Sequence, residues 1–88
     1  MNVKQVRRTT QLPILEIINR EGFATPKLLY NELDKSEGYI RQELLDLNDN
    51  DYIERVDRGV YQLTERGEKA LKHKDLIGSP AFDKAINN

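Results

Sequence analysis

Cysteine is absent from the 88 residues, which excludes a disulfide framework, a thiolate metal site and a thiol nucleophile. Histidine occurs once, at His73, so no second histidine or cysteine can complete a zinc or catalytic set with it. No apolar run approaches the roughly 18 to 20 residues that a bilayer crossing needs. The opening Met1-Asn2-Val3-Lys4 is not followed by the apolar core of a signal peptide, and a cytoplasmic protein is expected. A net charge of -1 carries no general basic signal for nucleic acid, which turns attention to how charge is distributed.

What is present suits one small folded domain. Hydrophobic residues at 38% and charged residues at 33%, with only three prolines, separate the chain from disordered and fibrous sequences. Its length allows one modest core and no second domain. In residues 1–20, Lys4, Arg7, Arg8 and Arg20 face Glu16 alone, whereas in residues 21–50 the acids outnumber Lys27, Lys35 and Arg41. Any cationic face must therefore be assembled from separated positives.

Residues 1–9, polar and basic with little periodicity, read as a flexible basic arm. Thr10 is an expected cap for a first helix that carries Pro13 in its opening turn and Ile14, Leu15, Ile17 and Ile18 at helical spacing; Gly22 ends it. Phe23-Ala24 is long enough only for a stub of strand. Thr25-Pro26 signals a second helix with Leu28, Leu29 and Leu33 as its buried stripe. Asp34 and Lys35 alone separate it from Ser36, a good N-cap, and so short a link forces the two helices to cross sharply.

The third helix places Ile40, Leu44 and Leu47 on one face and leaves Gly38, Arg41, Gln42, Leu45 and Asp46 around the others. It fails at Asn48-Asp49-Asn50-Asp51, residues that tolerate left-handed backbone. Tyr52 to Val56 and Val60 to Leu63 are β-prone runs joined by Asp57-Arg58-Gly59, a hairpin. Thr64 caps a fourth helix with Ala70 and Leu71, extending toward Leu76 and Ile77. Gly78-Ser79-Pro80 breaks it and leaves residues 78–88 as a tail, a short helical turn around Phe82, Ala85 and Ile86 or a disordered end.

This order is that of an α+β winged helix-turn-helix domain over residues 10–77, with three core helices, a two- or three-stranded wing and a C-terminal helix. Across Ser36-Glu37-Gly38-Tyr39-Ile40-Arg41-Gln42-Glu43-Leu44, Tyr52-Ile53-Glu54-Arg55-Val56 and above all Gly59-Val60-Tyr61-Gln62-Leu63-Thr64-Glu65-Arg66-Gly67, the chain resembles the small winged-helix regulators of haloarchaea and their viruses, the halophage-repressor-like proteins. It is more distantly similar to MarR-type repressors. The resemblance covers about residues 11–74. Asp51 stands where the family has glycine, so a left-handed turn with some strain is expected there.

The resemblance implies a sequence-specific regulator of transcription, a repressor, that binds double-stranded DNA with its third helix in the major groove. Base readout would fall to Arg41 and Gln42, whose side chains can bond guanine and adenine edges bidentately. Thr25, Lys27, Ser36 and Tyr39, near helix N-termini, would hold phosphates. Arg58 at the wing tip would reach a flanking minor groove or its backbone, with Arg55 in support and Arg7 and Arg8 of the arm adding attraction. Glu37 repels phosphate unless it accepts from a cytosine amino group, and it also suits the positive end of the helix.

Plainer roles stand beside these. Arg41 and Gln42 can be a solvated helix face, and Tyr39, Tyr52 and Tyr61 can be packing residues, the preferred reading for the last two. Asp46 to Asn50 has the look of a calcium loop, but Asp51 replaces its glycine and Asp57 its bidentate glutamate, so the cluster reads as a helix end. His73 reads as a surface residue closing the fourth helix. No carboxylate pair has a partner motif, and neither an enzyme, a cofactor, a metal, a membrane nor a small-molecule ligand is expected. The rival function is a winged-helix module for protein–protein interaction, supported by the acidic middle segment. A homodimer through the first helix, the fourth helix or the Phe82–Ile86 tail is a further expectation.

Overall fold

The computed structural model describes residues 4–87. Helix α1 spans Leu12–Glu21, with Pro13 in the first turn, where it removes no intrahelical bond. Its apolar residues Leu12, Ile14, Leu15, Ile17 and Ile18 are all buried. Gly22, at φ 84°, ends it by donating its N–H to the Ile18 carbonyl. Thr10 does not cap this helix. The N-cap is Gln11, whose side chain makes no capping bond. Its Oε1 accepts instead from the Arg7 N–H at 3.1 Å. The chain already turns between Arg7 and Gln11, and Thr10 sits inside that turn, one residue before the cap, where its hydroxyl accepts from Arg7 Nε at 3.2 Å.

Helix α2, Pro26–Leu33, starts as expected: the Thr25 hydroxyl accepts from the Leu28 N–H at 3.2 Å. Asp34 at φ 55° reverses the chain directly into Ser36, whose hydroxyl accepts from the Tyr39 N–H and opens α3, Glu37–Asp49. Ile40, Leu44 and Leu47 face the core. The acidic cluster ends the helix, with Asn50 at the C-cap and Asp51 left-handed at φ 64°.

Strands β1, Ile53–Asp57, and β2, Val60–Leu63, pair antiparallel, with Ile53 opposite Leu63 and Arg55 opposite Tyr61. A bulge lies between Arg55 and Asp57, and Gly59 at φ 65° serves the turn. The stub before α2 contributes a single bridge, in which Ala24 and Tyr61 exchange both backbone bonds at 2.9 Å. Thr64 caps α4, Glu65–Lys72, by accepting from the Gly67 N–H. The helix stops at His73, short of the expected Leu76 and Ile77. A 3-10 turn, Lys74–Leu76, takes over and leads to α5, Pro80–Asn87. Among the described residues, five helices and a two-stranded sheet thus make up an α+β fold, in an order compatible with a winged-helix layout. Among the described residues, no helix is long and apolar enough to cross a membrane.

The expected arm is packed against the domain, and of the two expectations for the tail the helical one is found. Residues 1–3 of the expected arm lie outside the described residues, but from Lys4 onward the segment is docked. Val6 is buried, Gln5 donates to the Ser79 carbonyl and to Asp83, and the Gly78 N–H donates back to Gln5. The Tyr52 hydroxyl donates to the Lys4 carbonyl at 2.6 Å. In the tail, α5 buries Phe82 and Ile86 in the same apolar cluster. Each segment is too short to fold alone. Val6, Phe82 and Ile86 join Tyr52 in one buried apolar cluster, and their burial supplies what local propensity does not.

Candidate functional site

The alternation of a strand determines which hairpin residues can meet α3. Ile53 points into the core, so Arg55, two residues on, lies on the same face of the hairpin with Tyr61 opposite it. The Ala24–Tyr61 bridge then draws this face against the start of α2. Between them is a cleft of about 500 Å³, whose walls include Thr25, Lys27, Tyr30, Glu37, Arg41, Arg55, Arg58 and Tyr61. It continues into a recess of about 290 Å³ alongside α3, where Arg41, Arg55 and Tyr61 are joined by Leu45 and Asn48.

Of the side chains expected to bind DNA, the fold therefore gathers Thr25, Lys27, Arg41, Arg55 and Arg58 on one cleft, although they come from α2, α3 and the hairpin. Ser36, Tyr39 and Gln42 are outside it. Ser36 is occupied as the cap of α3, and Tyr39 lies under the Lys35 ammonium, 5.3 Å from its ring centre. Gln42 follows Arg41 on the helix, turned from it by about 100°, and is exposed but does not line the cleft.

The cations differ in how committed they are. The side chains of Lys27, Arg55 and Arg58 have no hydrogen-bond or ion-pair partner among the described residues. Arg41 does: its Nε and Nη2 donate to Glu37 Oε1 at 3.0 and 2.7 Å. Arg7 and Arg8, expected to add to the same attraction, are turned elsewhere. Arg7 pairs with Asp46 and with the buried Glu43, and these hydrogen bonds hold its guanidinium pKa above the ordinary value. Arg8 donates to the Ile77 carbonyl. Arg7 is thereby neutralised by an acidic flank of α3, and Arg8 is turned onto a backbone carbonyl, neither of which the sequence alone could reveal.

Tyr30 and Tyr61 are cleft residues that sequence reasoning did not assign there. Tyr30 stands three residues after Lys27 on α2, a spacing that puts both on one helix face. For Tyr61 the signal is its pairing with Arg55, visible only once the register is known.

No family model, curated protein or solved structure matches this chain. What the cleft can hold follows from its own make-up. The first turns of α2 and α3 border it, and helix N-termini favour anions through their free N–H groups and the helix dipole. Unpaired cations reinforce that preference. At the far end of α3, Asp46, Asp49 and Asp51 oppose it. An extended polyanion would therefore meet α3 by its N-terminal half.

Proposed function

We propose that this chain is a winged helix-turn-helix protein that binds double-stranded DNA sequence-specifically and represses transcription by occupying its operator. In this reading α3 enters the major groove, with Arg41 and Gln42 at base edges. Thr25 and Lys27 hold phosphates, with Ser36 and Tyr39 flanking them, and the hairpin places Arg55 and Arg58 on the adjacent backbone or minor groove. The supporting observation is the convergence of Lys27, Arg55 and Arg58, cations without partners among the described residues, on the cleft beside α2 and α3. A fold does not leave such charges together for stability, because like charges repel.

Selection of bound duplexes from a random pool tests this. An enriched sequence is expected, with affinity falling steeply with salt, by a slope of about -3 to -5 in log–log form for roughly three to five phosphate contacts. A palindrome would point to two copies on two half-sites. No enrichment and no salt dependence would overturn the proposal. A second reading, a winged-helix module for protein partners, draws on exposed apolar side chains at Phe23, Leu45 and Val56. It predicts no duplex binding at all. For a homodimer, Phe82 and Ile86 of the tail are already buried within the chain and offer no apolar contact. The surfaces left among those expected are on α1 and α4, and the sedimentation mass with and without DNA tests them.

A further inference from the structure

Arg41 and Glu37 sit one turn apart on α3, and both donors of Arg41 fall on a single carboxylate oxygen, Oε1. A guanidinium carries five N–H donors in a rigid planar fork. This contact uses the Nε hydrogen and one hydrogen of Nη2, so the outer edge formed by Nη1 and Nη2 remains open. That edge presents two parallel N–H bonds, the arrangement that guanine O6 and N7 accept. Glu37 Oε2 has no hydrogen-bond partner among the described residues. Since the side chains are 66% and 57% exposed, the pair contributes little to stability.

We propose that Glu37 is a positioning residue that sets specificity: it aims the outer edge of Arg41, and the two enter the major groove as one unit that reads a G·C pair. This rests on the DNA-binding reading above. An arginine without such a partner must be immobilised on binding, and it is drawn to any nearby phosphate regardless of sequence. A carboxylate beside it repels phosphate, and so keeps Arg41 off the backbone with its open edge toward the bases. The remaining cleft cations have no such partner. Lys27, Arg55 and Arg58 hold the backbone, while the paired arginine discriminates.

The test compares the wild-type chain, Glu37→Gln, Arg41→Ala and the double variant on three kinds of duplex: the best selected sequence, versions with each G·C pair changed in turn to A·T, and a random sequence. Unchanged melting temperatures verify that the variants fold. Glu37→Gln is expected to bind the random duplex at least as tightly as wild type, yet to lose about tenfold of the preference at one G·C position. Arg41→Ala should lose preference at that same position, and adding Glu37→Gln to it should change the preference no further. If Glu37→Gln tightens binding to every duplex by the same factor, or acts independently of Arg41, the proposal is overturned while DNA binding stands. Failure of the wild-type chain to bind any duplex would instead overturn the DNA-binding reading, and this proposal with it.

Discussion

Gly67 lies so close to Tyr52 that a Cβ on it would stand 2.0 Å from the Tyr52 carbonyl oxygen. That oxygen also accepts the Thr64 N–H at 3.1 Å. Helix α4 is thereby seated on the junction between the end of α3 and the hairpin, and neither backbone can retreat without moving the hairpin.

Glycine to alanine should therefore have opposite signs at two helical positions. Gly67→Ala is expected to destabilise by about 2 kcal/mol or more, as an overpacked contact does. Gly38→Ala, whose added Cβ meets nothing within 4 Å, should stabilise by about 0.5–1 kcal/mol through helix propensity. Urea denaturation midpoints check both.

Asp51 adopts φ 64° without being glycine. Asp51→Gly should remove that conformational cost and raise stability by about 0.5–1 kcal/mol, with DNA binding unchanged or tightened as an acid near α3 is removed. A lowered denaturation midpoint would show that the aspartate side chain contributes a compensating interaction.

Phe82 is fully buried although it belongs to the last helix. Phe82→Ala should cost about 3–5 kcal/mol, enough to leave much of so small a domain unfolded. If α5 were a dispensable tail, the thermal melt would not move.

Burial raises the Tyr52 phenol above its ordinary value of 10.0, against a smaller opposing effect of Arg66. The unfolded chain then loses this proton at lower pH than the folded one. Tyr52 contributes stability that is complete below about pH 10 and is lost as pH rises through the folded value. Tyr52→Phe should flatten that alkaline decline and cost about 1 kcal/mol at neutral pH through the lost bond to Lys4. Denaturant midpoints from pH 7 to 11 measure it.

Arg7 and Lys27 should separate cleanly. Lys27→Ala is expected to reduce the salt slope of duplex binding by about 1 without altering stability. Arg7→Ala should leave the slope unchanged but lower stability by about 1 kcal/mol, since Glu43 stays largely buried without its partner. Equal effects on the slope would return Arg7 to the DNA face.

Much of the architecture was legible because its signals are local. Thr25-Pro26, Ser36 and Thr64 are caps whose hydroxyls find the N–H groups that capping chemistry demands. Ile40, Leu44 and Leu47 declare one buried face, and Asp57-Arg58-Gly59 declares a turn. These depend on residues within a few positions of one another. Elsewhere a distant partner decided. Thr10 lost the cap because Arg7 and Gln11 close a turn around it.

The same division runs through the candidate site. Residue chemistry nominated Thr25, Lys27, Arg41, Arg55 and Arg58, but only strand parity and the Ala24–Tyr61 bridge bring them to one cleft. Composition offered Arg7 and Arg8 as added attraction, and tertiary packing turned both away. By itself, then, the sequence determined the order of helices and hairpin and the kinds of charge available, because periodicity, caps and turns are short-range. The tertiary structure alone decided which charges are neutralised, which are free, and that Val6, Phe82 and Ile86 complete the core, because those outcomes depend on contacts between residues far apart in the chain.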